Sequence, residues 1–217
     1  KKDGPDTVAL TITDSRPQNP HTGSYADLPA GGVITGGKGT DAGGSVHSVG
    51  GAVFLENGTT LNLEGGTITG NSSSRGSVFI NGATLVMSGG TITGENVGVH
   101  NNVGTFTMTG GRITGCSDRG VYMYNGNMTM SGTAYIGGNP GAKEDIYVCE
   151  SDHKHTDLSV TGGTIAGNVR IVFLERLHPT QDDLRAAANS VVKEQGVFDG
   201  HIKVEKGTSG ICVDYNS

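Results

Sequence analysis

The sequence predicts an all-β fold: a right-handed parallel β-helix, three strands per coil and about 21–25 residues per coil. An N-terminal cap and one short C-terminal α-helix complete it. Three observations predict this. One pattern recurs in GAVFLENGTTLNLEGGTITG (51–70), GSVFINGATLVMSGGTITG (76–94) and VGVHNNVGTFTMTGGRITG (97–115), and again at 120–138 and 145–167. Its marker isoleucines, Ile68, Ile92, Ile113, Ile136 and Ile165, recur at intervals of 24, 21, 23 and 29 residues. Glycine supplies 38 of 217 residues, far above the usual ~7%, with no Gly-X-Y period that would mean collagen.

Each pass holds three short strands. Alternate residues of a strand face opposite ways. In the first strand Val53 with Leu55, Val78 with Ile80, Val121 with Met123, and Ile146 with Val148 therefore point inward. Asn101 is the one polar residue at such a position. In the second strand Leu61 with Leu63, Leu85 with Met87, and Phe106 with Met108 point inward. In the third only the isoleucine does. Asn-Gly pairs at 57–58, 81–82 and 125–126 mark the corner after the first strand, because both residue types tolerate positive φ. Gly-Gly pairs at 65–66, 89–90, 110–111 and 162–163 mark the next corner, with positive φ expected at Gly89 or Gly110. Three strands and three corners make a triangular coil. Parallel crossovers are right-handed.

The chain reads as one domain. Residues 1–30 form the cap, with a strand at TVALTIT followed by a proline-bearing loop, since an open solenoid end exposes apolar interior and strand edges. The coils run over 31–176, beginning with GGVITGG as the third strand of an incomplete coil. A helix-containing coil and cap follow at 177–217. RIVFLERL (170–177) is a strand, and TQDDLRAAANSVVKEQG a helix over 180–195. Thr180 is its N-cap with Asp183 at capping-box spacing, Lys193 sits in the last turn and Gly196 stops it. HIKVEKG and ICVDYN give a final pair of strands.

Net charge of -6 and a pI near 5.6 argue against nucleic acid, which calls for a basic patch. No apolar run is long enough to span a membrane. Cys116, Cys149 and Cys212 are too few and scattered for a disulfide framework or a zinc site. The chain opens on Lys-Lys-Asp without a signal peptide and reads as an excised fragment or mature product. Gly32-x4-Gly37-Lys38 approaches a phosphate-binding loop, but glycine holds position 39 and no helix follows, so the motif lacks its anion site. No cofactor is implied.

The outward middles of the first strands carry the candidate site. Phe54, Phe79, His100, Tyr122 and Tyr147 fall in register as one external ladder of rings, with Tyr124 two residues beyond Tyr122. Stacked rings stabilise a sheet. An exposed aromatic stripe also marks a binding surface. Both readings stand. Outward threonines of the third strands (Thr67, Thr69, Thr91, Thr93, Thr114, Thr164) suit an ice-binding array, interrupted by Arg112, Tyr135, Gly137 and Ala166. Asp152-His153-Lys154-His155-Thr156-Asp157 reads as a solvated turn more readily than as a metal site. Acid/base cleavage of a polysaccharide needs clustered carboxylates. Glu56 with His100 and Tyr122 is the one thin trio available.

GGTITGN (65–71), GGTITGEN (89–96) and GGRITG (110–115) resemble repeats of large secreted or wall-attached surface proteins of gut-dwelling bacteria. The coil pattern over 31–172 resembles the pectate-lyase-like β-helix superfamily. The paired aspartates and Arg/Lys clusters of its lyases and polygalacturonases are absent from this sequence. The resemblance implies an extracellular or cell-surface, adhesin-like, non-enzymatic module. Its partner would be a host glycoprotein such as mucin, a matrix protein, an immunoglobulin or a glycan. A polysaccharide lyase or glycoside hydrolase, and a passive stalk, are the alternatives.

Overall fold

The computed structural model describes residues 8–15, 31–39, 50–139, 144–150, 156–167, 169–173, 192–193, 202–203 and 211–213. It is the expected parallel β-helix. Strands β1 (Val8–Ile12), β2 (Val33–Ile34), β3 (Val53–Leu55) and β4 (Thr59–Leu63) open the stack. Three sheets run its length. The first-strand sheet proceeds from β3 through Val78–Asn81, Val97–Asn102, Arg119–Tyr124, Glu144–Glu150 and Val169–Phe173 to Ile202–Lys203. The second-strand sheet runs from β1 and β4 to Val192–Lys193, and the third from β2 to Thr164–Ile165. Every pairing is parallel except that of Ile211–Val213 with Val169–Phe173. Among the described residues there is no helix, and none therefore long and apolar enough to cross a membrane.

Register puts like on like. Leu61 lies beside Leu85, Leu85 beside Phe106, and Phe106 beside Met128. The marker isoleucines form an unbroken column from Ile68 to Ile165. These rows fill one continuous core, and most of their members have no exposed surface at all. The inward Asn101 is fully buried, yet each of its polar atoms has a partner. Its Nδ2 donates to the Gly104 carbonyl at 3.2 Å and the Asn127 carbonyl at 2.9 Å, and its Oδ1 accepts from the Gly104 N–H at 3.0 Å. A buried amide without these would be costly. Here it pins the corner of one coil to the next.

The strand expected in the N-terminal segment is present at 8–12. It is a member of the second-strand sheet, with Leu10 beside Leu61 and Ile12 beside Leu63. The loop at 16–30 lies outside the described residues. Val192 and Lys193, expected in the last turn of a helix, instead pair as a strand with Leu158 and Ser159. The sheet edge there offers hydrogen bonds that local helical propensity does not outweigh. The rest of 180–195 lies outside the described residues. Both final strands are present, at Ile202–Lys203 and Ile211–Val213, and both join Val169–Phe173. The near-phosphate loop holds no phosphate geometry: Lys38 bridges to Ser72 in an extended segment.

At the Gly-Gly corner positive φ falls on the second glycine, 73° at Gly90 and 79° at Gly111, not on Gly89 or Gly110. The first glycine is required for another reason: a Cβ at Gly89 would collide with the Glu64 carbonyl of the preceding coil. The corner after the first strand is left-handed at Gly58, Gly82 and Asn125, and also at Val103, with φ 60°. A β-branched residue in that region is strained by about 1–3 kcal/mol. Val103 is 46% exposed, so its side chain returns little packing. Val103→Asn, matching Asn125 in the next coil, is expected to stabilise the fold by up to about 1 kcal/mol, a rise of about 2–4 °C in melting temperature. An unchanged or lower melting temperature would remove the strain assignment.

Candidate functional site

The first-strand sheet brings the ring ladder together as the register requires. Phe54 stacks on Phe79 with centroids 5.5 Å apart and planes within 18°. Phe79 meets His100 edge-on at 4.9 Å, His100 meets Tyr122 at 4.4 Å, and Tyr122 meets Tyr147 at 5.3 Å. Tyr124 lies on the same strand, beside Asn102 on one side and Cys149 on the other. What differs from the expectation is exposure. Phe79 is 5% and His100 2% exposed, while Phe54, Tyr122, Tyr124 and Tyr147 are half-buried. The stripe is not an open aromatic platform. Its centre is packed, and only its ends meet solvent.

Electrostatics follow from that packing. Burial, reinforced by the positive charges of Arg75 and Arg119, pushes the His100 imidazole down to about 3. It is neutral across the physiological range. Burial also raises the Tyr122 phenol, and Cys149 and Tyr147 add to the shift. Glu56 sits exposed in the turn after β3, where its carbonyl accepts from Thr59. Among the described residues no hydrogen bond or ion pair joins it to His100. The other two members of the trio, His100 and Tyr122, are ring neighbours.

The C-terminal end of the ladder has a different chemistry, which sequence reasoning missed. The row continues from Tyr147 to Arg170. The guanidinium of Arg119 stands 4.3 Å from the Tyr147 centroid and 5.5 Å from that of Tyr122, and Arg170 stands 6.0 Å from Tyr147. Glu144 lies between the two arginines, 3.6 Å from Arg119 and 3.3 Å from Arg170, while Arg119 also holds Asp118 at 2.7 Å. Cation–π contacts and a partly buried ion-pair network thus fix the geometry of these rings. The signal was present: Arg170 occupies the middle of a first strand, where every earlier coil has a ring.

A second feature was also missed. Three past Ile68, Ile92, Ile113 and Ile136 stand Asn71, Glu95, Cys116 and Asn139, at the corner between third and first strands; the first three are buried and Asn139 is partly so. Glu95 is 2% exposed and accepts from the Asn71 backbone N–H at 3.1 Å and its side-chain amide at 3.3 Å. The Cys116 backbone N–H donates to Asn139 Oδ1 at 2.8 Å, and Asn139 donates to Asp145. Burial lifts the Cys116 thiol to about 12, so it is inert as a nucleophile. Cys116 and Cys149 are free thiols, and the side chain of Cys212 lies outside the described residues. No group of three His, Cys, Asp or Glu among the described residues could hold a metal. Of the polar insert after Glu150, residues 151–155 lie outside them. On the third-strand sheet Arg112 stands 3.9 Å over the Tyr135 ring, which breaks the flat threonine rows.

No protein-family model, curated protein or solved structure matches the chain.

Two predictions follow from burial. Phe79→Ala removes a packed ring and should destabilise the fold by about 3 kcal/mol, read by denaturant unfolding. A loss under about 0.5 kcal/mol, the level of a surface change, would contradict its burial. For Glu95, burial holds the carboxyl above its ordinary 4.5. A raised folded pKa means folding favours the protonated acid. That stability is full below the unfolded value and is lost as pH rises through the folded one. Glu95→Gln should therefore match wild type near pH 4 and exceed it at pH 7. Melting curves with a pH-independent difference would exclude the assignment.

Proposed function

We propose that the chain is a non-enzymatic extracellular binding module, an adhesin-like segment of a bacterial surface protein. Its binding face is the C-terminal end of the ring ladder. One observation carries this reading: Tyr122, Tyr124 and Tyr147 are half-exposed on a rigid parallel sheet, with Arg119 and Arg170 set against the rings. Tyrosine and arginine are the residue types enriched at binding hot spots. Rings held by guanidinium groups are ordered before a partner arrives, which lowers the entropic cost of binding.

The nature of the patch favours a protein partner (a host glycoprotein such as mucin, a matrix protein or an immunoglobulin) over a bare sugar. One face of Tyr147 is engaged by Arg119, and the planes of Tyr122 and Tyr147 meet at 63°. That is a poor flat platform for a pyranose but a good mixed polar and aromatic surface. The coil pattern, similar to the pectate-lyase-like β-helix, keeps a polysaccharide-active enzyme as the second reading. The neutral, buried His100 and the raised Tyr122 phenol speak against it, because a general acid or base works best with a pKa near the operating pH.

The test is capture from host secretions on the immobilised chain, with a glycan array beside it. Tyr122→Ala with Tyr147→Ala should weaken the captured partner at least about thirtyfold, as loss of a hot-spot residue worth about 2 kcal/mol does. Thr91→Ala with Thr114→Ala on the third-strand sheet should leave affinity unchanged. Equal binding by the double tyrosine variant, with its fold intact by circular dichroism, would move the site elsewhere. Depolymerisation of a polysaccharide that is lost in His100→Ala would overturn the non-enzymatic reading.

A further inference from the structure

Three Asn-Gly pairs stand at the corner after the first strand, at 57–58, 81–82 and 125–126. The first of these corners is one residue longer than the others. With Leu55 beside Ile80 and Leu61 beside Leu85, five residues (56–60) span the corner where the next coil uses four (81–84). The two coils after that also use four, 102–105 and 124–127. The extra residue has no counterpart in the coil beside it, so this corner closes on itself. The Thr59 N–H and Oγ1 both donate to the Glu56 carbonyl, at 3.0 and 2.6 Å. Asn57 and Gly58 are the two central residues of that tight turn, with φ 82° at Gly58, a conformation that favours glycine.

The three pairs are held differently. At 81–82 the Gly82 N–H donates to the Asn102 carbonyl at 3.0 Å, and the Asn81 Oδ1 accepts from the Asn102 side-chain amide at 2.8 Å. At 125–126 the Asn125 N–H donates to the Cys149 carbonyl at 3.2 Å, and Asn125 is 7% exposed. Gly126 packs against the Asn101 amide, which lies 2.6 Å from where a Cβ would stand. At 57–58 both residues are exposed. Among the described residues neither the Asn57 side chain nor the Gly58 N–H takes part in a hydrogen bond. A Cβ on Gly58 would meet nothing within 4 Å. The Asn57 side chain lies within van der Waals reach of Gly82 in the next coil.

We propose that Asn57-Gly58 is a site of spontaneous covalent modification, at which the asparagine becomes a mixture of aspartate and isoaspartate through a cyclic imide. The Gly58 backbone nitrogen attacks the Asn57 Cγ. A C–N bond forms there, the bond from Cγ to Nδ2 breaks, and the Gly58 amide proton leaves with Nδ2 as ammonia. Water then opens the imide ring at either carbonyl. Opening at one restores the ordinary chain with an aspartate side chain. Opening at the other routes the main chain through Cγ and lengthens it by one carbon. A glycine after the asparagine leaves the attacking nitrogen unhindered and the backbone free to rotate, and asparagine is among the thermolabile residues for such reasons. Ring closure at Asn57 disturbs only the local bonds between Thr59 and Glu56. At Asn81 or Asn125 the same motion breaks bonds between coils. Each event places a new carboxylate beside Glu56, on the coil that carries Phe54.

Ageing the folded 217-residue chain at mildly alkaline pH tests this. Trypsin places the three pairs in separate peptides, 39–75, 76–112 and 120–143. Mass spectrometry reads the exchange of NH2 for OH in each, and an isoaspartyl methyltransferase labels the isoaspartate. Asn57 should convert at least about tenfold faster than Asn81 or Asn125, the factor that about 1.4 kcal/mol of barrier supplies. In denaturant the three should convert at similar rates, because the fold is what separates them. Asn57→Gln, whose side chain would have to close a larger ring, should abolish the methyltransferase label on peptide 39–75. Conversion of Asn81 or Asn125 in the folded chain as fast as Asn57, or no conversion at Asn57, would overturn the proposal. So would a label that persists on peptide 39–75 in Asn57→Gln, or the same spread of rates in denaturant as in the folded chain.

Discussion

Each coil must satisfy its backbone hydrogen bonds in the coils on either side, and the rest of the structure depends on that requirement. Parallel strands about 4.8 Å apart leave no freedom in register. Every side chain therefore stands on its equivalent in the next coil. An inward position is apolar along the whole stack or must carry its own polar partners with it. The isoleucine column obeys the first condition from Ile68 to Ile165. Asn101 obeys the second, with its amide fully partnered by the turn at Gly104 and by Asn127 of the next coil. Glu95 obeys it incompletely, since burial leaves its carboxyl above the ordinary range despite the Asn71 contacts.

The corners answer the same requirement from the backbone side. A coil that turns three times in about 24 residues brings its chain within contact of the coil beside it. At Gly89 the limit is space, because the Glu64 carbonyl occupies the volume a Cβ would need. At Gly90 the limit is conformation, with φ at 73°. The two glycines of one pair are thus required for different reasons, which composition alone does not separate. Val103 shows that the conformational limit can be exceeded locally when the neighbouring bonds hold the corner in place. Its N–H donates to the Tyr124 carbonyl at 3.0 Å, as the Asn125 N–H does to Cys149 one coil further on.

The strands were legible because their periodicity is local: each inward pair lies two residues apart and each marker isoleucine recurs at coil spacing. The ring ladder was legible for the same reason, as a matter of register. Its exposure was not. Whether Phe79 and His100 meet solvent depends on what packs against the outer face, and no alternation pattern encodes that. The corner residues Asn71, Glu95, Cys116 and Asn139 were hidden differently. They lie between strands, in segments whose glycines and polar residues read as loop, although their fixed distance from the marker isoleucine was there to be noticed. At Val192 and Lys193 a local helical pattern competed with an open sheet edge, and the edge prevailed. Local propensity is worth tenths of a kcal/mol per residue. An unpaired edge offers a hydrogen bond for each backbone group it accepts.

The ladder's change of chemistry along its length bears most on the function we propose. From Phe54 to His100 the row is two phenylalanines and a neutral imidazole, of which Phe79 and His100 are buried. From Tyr122 onward hydroxyl-bearing rings replace phenylalanine, and in the coil after Tyr147 an arginine replaces the ring itself. Parallel stacking alone would favour like on like throughout. A tyrosine at the edge of a packed stack keeps an apolar body for the scaffold and a polar tip for water. Arg170, between Tyr147 and Lys203 in the row, stands near the last ring and leaves its own charge near the surface, tempered by Glu144. Phe79 and His100, the buried members, are held by packing, whereas the half-exposed tyrosines keep their hydroxyl ends at the surface. The polar groups at Tyr122, Tyr124, Tyr147, Arg119 and Arg170 are the ones the binding role we propose would use.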